Sequence, residues 1–396
     1  MPSKLWNRNY GLLIVITFCS GLTAQLLNTS LPLYLVNALG TTTTISGVLS
    51  GLYTIVSCVI RPFCGRLVDR HGRRRFILAG IAVFALGCYG FGMVHTAAAL
   101  VLFRLIQGIG FGISATAAST AASDNIPPAR LGEGLGYLGM CNALPMVIGP
   151  SLAILLIADD AYSRPFMLAG SLCVLAGVLA FLTREDPGVI SAVRQKSSGK
   201  QFIWRTLYEP TALPPSLVQL FLSFSAACVM VFGALFAQAR GYGNISLFFI
   251  VSALSMLLIR MAVSKIVDRV NAYAMVVPAC FLWAIGYGLL LLVDSAEVFL
   301  LTGIMYGAGL GVAQTMLNTV ALRGVPTERR GAASATFLFC FDCGIGLGAL
   351  LLGAVVDLAG YDGMVAAGLI SLLIGGALSI LFWTRGSGNP INRAEA

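Results

Sequence analysis

Apolar runs of about 20 residues or more alternate along this chain with short polar breaks. An apolar stretch of that length crosses a bilayer as a helix, because hydrocarbon offers no partner to exposed backbone N–H and C=O groups. Twelve runs are legible, at 10–37, 44–65, 76–94, 97–122, 133–158, 162–182, 212–237, 244–264, 273–293, 296–321, 332–357 and 362–384. They predict an all-α polytopic membrane protein with 12 transmembrane helices. The first run follows Lys4 and Arg8 as a secretory leader would. It is too long for one, lacks a small-residue cleavage pattern and is soon followed by another span, so it reads as the first helix.

Composition agrees. Hydrophobic residues make up 58% of 396 positions, charged residues 10%, and the mean hydropathy is +0.88. A soluble domain has about 45–50% apolar and about 25% charged residues, so this chain has too few polar residues to cover a water-facing surface. The charges orient the bundle. With both termini cytoplasmic, twenty of the 25 Lys and Arg lie on the cytoplasmic side, and only Arg164 and Arg240 lie on the other. That is the positive-inside pattern of a cytoplasmic (inner) membrane protein. The net charge of +9 therefore reports topology, and no nucleic-acid partner is expected. Ten cysteines are scattered through apolar runs as packing residues. Cys340 and Cys343 flank Asp342, but the two histidines, His71 and His95, are distant in sequence, so no metal and no cofactor are expected.

The chain repeats itself. RPFCGRLVDR (61–70) aligns without a gap on RMAVSKIVDR (260–269), at an offset of 199. The same offset carries Gly108, Gly110 and Gly112 onto Gly307, Gly309 and Gly311, and Gly149 onto Gly348. Two six-helix repeats of the same orientation follow: an N-terminal bundle at 1–185, a polar, basic cytoplasmic linker at 186–211, a C-terminal bundle at 212–385 and a cytoplasmic tail at 386–396. In the linker, Phe202, Ile203 and Trp204 beside Lys200 and Arg205 suit either a short surface helix or a plain connector. Two parallel six-helix repeats are one architecture of secondary transporters, with substrate held near the midplane.

GRLVDRHGRRR (65–75) resembles the loop signature between the second and third helices of the major facilitator superfamily, G-x-L-x-D-R-x-G-R-R-R. The match runs through Gly65, Leu67, Asp69, Arg70, Gly72, Arg73 and Arg74. The second copy keeps Asp268 and Arg269 and has lost the glycines and later arginines. FRLIQGIGFG (103–112) resembles the fourth-helix signature of the drug–proton antiporter branch, R-x-x-Q-G-x-G, through Arg104, Gln107, Gly108 and Gly110. LPMVIGPSLA resembles the fifth-helix antiporter signature through Gly149 and Pro150, with Ala153 and Ile154 in place of its usual glycine pair. The resemblance implies the major facilitator fold, alternating access, and charged cytoplasmic latches built on Asp69–Arg70 and Asp268–Arg269.

Beside the resemblance stands the physical reading. Gly108, Gly110 and Gly112 lie inside an apolar helix and serve close packing. Pro145 and Pro150 favour a bend in the fifth helix. Ionisable groups inside a membrane are costly and mark function. Arg61 and Arg260 lie near helix ends and can snorkel. Arg104 lies about 10 Å deep; the resemblance implies proton transfer or recognition of substrate charge, and a structural cap on neighbouring carbonyls is the alternative. Asp342 lies about 15 Å along the eleventh helix, near the middle of a core of roughly 30 Å. An acid there can take a proton on one side and release it on the other, and is the candidate for proton coupling. Asp159, Asp160, Asp294, Glu297, Asp357 and Asp362 fall near outer loops and are expected to be solvated. The resemblance implies a cavity between helices 1, 4, 7 and 10, with Gln25, Asn28, Gln219, Tyr306, Gln314 and Asn318 as candidate walls, suited to an amphipathic small molecule. The expected function is a monomeric secondary transporter, proton-coupled and exporting small organic compounds; the alternative is a proton symporter importing a nutrient. No G-x-x-x-x-G-K-[ST] loop supports ATP drive, and no nucleophile–base pair supports an enzyme.

Overall fold

The computed structural model describes residues 5–91, 93–94, 96–127, 130–157, 161–184, 209–243, 245–264, 266, 270–292, 295–323, 325 and 329–385. No strand occurs among the described residues. The helices are α1 (Arg8–Leu33, continued by a π-helical turn, Tyr34–Ala38), α2 (Thr43–His71), α3 (Arg73–Phe91), α4 (Ala97–Asp124), α5 (Leu131–Leu156), α6 (Ser163–Leu182), α7 (Leu213–Met230), α8 (Gly233–Ala239), α9 (Ile245–Ser264), α10 (Ala272–Leu292), α11 (Ala296–Leu322) and α12 (Arg330–Thr384). Eleven are long and apolar enough to cross a membrane, α8 being the exception. Leu86, Leu155, Phe181, Leu258 and Phe281 are 60–68% exposed, an exterior suited to lipid.

The twelfth crossing comes from α12. Its 55 residues are about 80 Å long at 1.5 Å per residue, against a hydrocarbon core of about 30 Å. At Gly360 the backbone takes φ 70° and ψ −176°, a conformation glycine adopts readily, and the helix breaks into two arms. Along the first arm Gly344 abuts the carbonyl of Leu220 and Gly348 that of Phe224; on the second, Gly368 meets Cys228 and Gly375 meets Leu222. The first arm thus follows α7 forward and the second follows it back. The seventh predicted span is broken at Val231–Phe232 into α7 and α8.

The charged stretch expected as a loop at 66–75 is instead helical almost throughout. Nothing in Arg66–His71 disfavours a helix, so α2 runs on past its apolar segment to His71, and α3 starts at Arg73. Gly72 alone separates them. It sits at φ 96°, and its N–H donates to the Val68 carbonyl (3.1 Å), closing the helix as a left-handed cap. Residues 185–208 and 386–396, which hold most of the linker, whether surface helix or plain connector, and the tail, lie outside the described residues.

Among the described residues, two compact units form. One falls within Met1–Gly40 and Leu52–Lys200, the other within Thr41–Gly51 and Gln201–Ala396. The repeat recurs inside each as a set of contacts. Gly108 lies on the Tyr53 carbonyl, Gly112 on that of Ser57, and Gly110 against Gly80 and Phe84; Gly307 lies on the Ser252 carbonyl, Gly311 on that of Met256, and Gly309 against Ala279 and Trp283. Every partner in the second set is the first set's partner moved by the same 199 positions. A Cβ would stand 2.9 Å from the Tyr53 oxygen at Gly108 and 2.0 Å from the Ser252 oxygen at Gly307, too close for a side chain. These glycines therefore let helix backbones approach.

Candidate functional site

The buried polar centre of the first unit is built on one face of α4. Arg104 is 1% exposed. Its Nη1 donates to Oε1 of Gln107 (2.8 Å), one turn on, and its Nη2 to Oδ1 of Asn28 on α1 (3.1 Å). Gln107 in turn donates through Nε2 to the Gly87 carbonyl on α3 (3.0 Å). The guanidinium carbon stands 4.3 Å from the centroid of the Tyr53 ring on α2, within cation–π range. A planar fork is suited to this: two side-chain acceptors fix its plane, and the ring covers its face. Gly87 makes room, since a Cβ there would lie 2.5 Å from Gln107. The described bonds of Arg104 run to two side-chain amides, one of which relays to the Gly87 carbonyl. Tyr53 was not legible as part of the site, because aromatic residues are ordinary in such helices.

The fifth-helix residues take packing positions. α5 runs as one helix through Pro145 and Pro150. The Pro145 ring lies where a side chain on Gly21 would project (3.0 Å), and Gly149 abuts Gln25 (2.5 Å for a Cβ). Gln25 itself is half-buried.

In the second unit the candidate wall residues have separate surroundings. Gln219 is fully buried on α7 and donates to Ser223 Oγ (3.0 Å). Tyr306 packs edge-on against Trp283, 5.1 Å between centroids. Gln314 accepts a hydrogen bond from Arg260, so that arginine reaches across to α11 as well as lying near a helix end. Asn318 is exposed, and Asp342 lies partly exposed on the first arm of α12.

At the α2–α3 junction, Arg73 is buried and pairs with Asp124 at the end of α4 (2.7 Å). Arg74 donates to the Phe181 carbonyl and lies 4.9 Å from that residue's ring. The surroundings of Gly65 and the side chains of Asp69 and Arg70 lie outside what is described, as do Asp268 and Arg269 altogether. Two outer carboxylates are exposed, as expected, and also have partners. Asp362 pairs with Arg240 and Asp357 accepts hydrogen bonds from Thr43 and Thr44, partners too remote in sequence to be foreseen.

The sequence profile of the Major Facilitator Superfamily matches residues 13–349, most of the chain. The chain belongs to that superfamily. An uncharacterized MFS-type transporter of Methanocaldococcus jannaschii is 22% identical over 385 residues, 95% of this chain and 98% of the relative. The staphylopine export protein of Staphylococcus aureus is 21% identical over 352 residues, 85% and 87% of the two chains. Among solved structures, a D-xylose–proton symporter superposes with a TM-score of 0.75 at 13% identity, over 94% of this chain and 97% of the other. As a superfamily member the protein is a membrane transporter of small molecules.

Proposed function

We propose that this major facilitator exports small amphipathic organic compounds in exchange for protons, as a monomer in the cytoplasmic membrane with both termini cytoplasmic. Residues 1–185 and 212–385 are the two moving bundles, and Asp69–Arg70 and Asp268–Arg269 latch their cytoplasmic ends. Asp342 carries the exchanged proton. The observation that carries the reading is the buried Arg104, held by Asn28 and Gln107 under the Tyr53 ring. A permanent cation kept at that depth is costly and marks a functional group. The R-x-x-Q-G-x-G signature around it and the relative named as an exporter favour efflux.

Proteoliposomes test this with a panel of named probes: ethidium, a fluoroquinolone and taurocholate. Exchange predicts accumulation of a probe when the lumen is acid; accumulation when the exterior is acid shows symport instead. Asp342→Asn is expected to remove gradient-driven accumulation at least about tenfold while leaving substrate-for-substrate exchange. Full proton coupling in that variant removes Asp342 from the mechanism.

A further inference from the structure

A helix start leaves its first four backbone N–H groups without intrahelical acceptors. At the start of α2 those of Thr43, Thr44 and Ile45 are satisfied, and Ser46 makes the first intrahelical bond. Ile45 donates to Thr42 Oγ1 (3.3 Å) and Ser46 to the Thr42 carbonyl (3.2 Å). Thr43 and Thr44 donate to the two carboxylate oxygens of Asp357, on the first arm of α12 (3.1 and 2.8 Å). Both threonine hydroxyls bond to the same oxygens, and that of Thr43 also lies 3.2 Å from the Gly353 carbonyl. A carboxylate facing a helix N-terminus is favoured by the helix dipole as well.

Behind this clamp the two helices meet backbone to backbone. A Cβ on Gly47 would stand 2.2 Å from the Ala349 oxygen, one on Gly51 2.6 Å from the Gly346 oxygen, and one on Gly353 2.5 Å from the Thr43 oxygen. The nearest atoms are mostly backbone, with the Phe232 ring beside Gly47 and the Leu350 side chain beside Gly51. Asp357 takes four of the hydrogen bonds described at this contact, two from backbone N–H groups and two from hydroxyls. Just past Gly360, Asp362 pairs with Arg240, which anchors the other side of the same hairpin tip.

α2 is continuous from Thr43 to His71, yet its residues up to Gly51 belong to the second unit and those from Leu52 to the first. A transporter that changes state by moving its repeats must release Thr43–Gly51 from the second unit or bend α2 near Gly51. We infer that Asp357 is a positioning residue of the transport cycle: its carboxylate clamps the first turns of α2 onto α12 in one state and lets them go in the other. This rests on the alternating-access reading above.

Hydrogen–deuterium exchange on the full chain in lipid nanodiscs tests it without any substrate. Asp357→Asn, and separately Thr43→Val with Thr44→Val, are expected to speed amide exchange at 43–51 about tenfold. Because release shifts the population of states, exchange at 61–72, the far end of the same helix, is expected to slow. Asp357→Glu keeps the charge and is expected to return both segments toward the wild-type pattern. Faster exchange at 43–51 with 61–72 unchanged reduces Asp357 to a local helix cap and overturns the inference; so does unchanged exchange at 43–51. The flux experiment with Asp342→Asn fails or succeeds independently, since it reads proton coupling and not the start of α2.

Discussion

The two units share a skeleton and differ in what it carries. Gly108, Gly110 and Gly112 in α4 and Gly307, Gly309 and Gly311 in α11 rest on equivalent neighbours. The cluster around Arg104 has no counterpart at the matching positions of the second unit. The positions matching Asn28, Tyr53, Arg104 and Gln107 are Ala227, Ser252, Gly303 and Tyr306. Even a shared backbone acceptor is served differently: Gln107 donates to the Gly87 carbonyl, whereas Thr302 donates to that of Gly286 (3.2 Å). The membrane acid, Asp342, stands where the first repeat has Ala143. Backbone approach tolerates no side chain, so packing glycines stay in register, while side chains that bear function are free to differ. The two repeats thus share their glycine packing while Arg104 stands in one and Asp342 in the other.

The harshest test of the shared skeleton is to put a side chain into it. Gly110→Val and Gly307→Val are both expected to abolish folded, monodisperse protein in size-exclusion chromatography, since overpacking costs about 1–3 kcal/mol or more even without a backbone collision. Gly288→Ala, with nothing within 4 Å of its Cβ position, is the control. Tolerance of either valine would end the equivalence. Next in size is the cluster around Arg104. Arg104→Ala is expected to lower gradient-driven flux about 100-fold, and Arg104→Lys about tenfold, because an ammonium keeps the charge but cannot fork to Asn28 and Gln107 in one plane. Equal losses would mean that the fork and not the charge matters. The smallest effects lie at the helix ends. Arg73→Ala breaks a pair whose arginine side chain is 7% exposed and is expected to cost about 1–3 kcal/mol, read as a drop in thermal midpoint. The second unit has Ala272 and Arg323 at the matching positions and no such pair there to lose. Arg130→Ala removes a pair with both side chains about 40% exposed, worth about 0.3–0.5 kcal/mol and expected to leave the midpoint unchanged.

Much of this was legible in the residue order because it depends on spacing. The apolar runs mark the membrane crossings, and the 199-residue offset marks the packing glycines. Helix ends were less legible: hydropathy registers where lipid stops, whereas α2 stops only where Gly72 enters the left-handed region. The polar site was legible in part. Arg104 and Gln107 lie one turn apart and appear together, but Asn28 is 76 residues away and showed only as one polar residue among several. Asp357 is exposed as expected, but its partners, 313 and 314 residues away, could not be read from the sequence.

The hairpin of α12 has a consequence for biosynthesis. Its arms cover the polar stripe of α7: Gly344 packs on Ser223, Gly368 approaches Ser225, and Ser371 donates to the Phe221 carbonyl (2.8 Å). Those covering residues leave the ribosome roughly 120 or more positions after the stripe they hide. Until then that face of α7 lacks its α12 cover, so the seventh crossing can be fully packed only after the last two have been made.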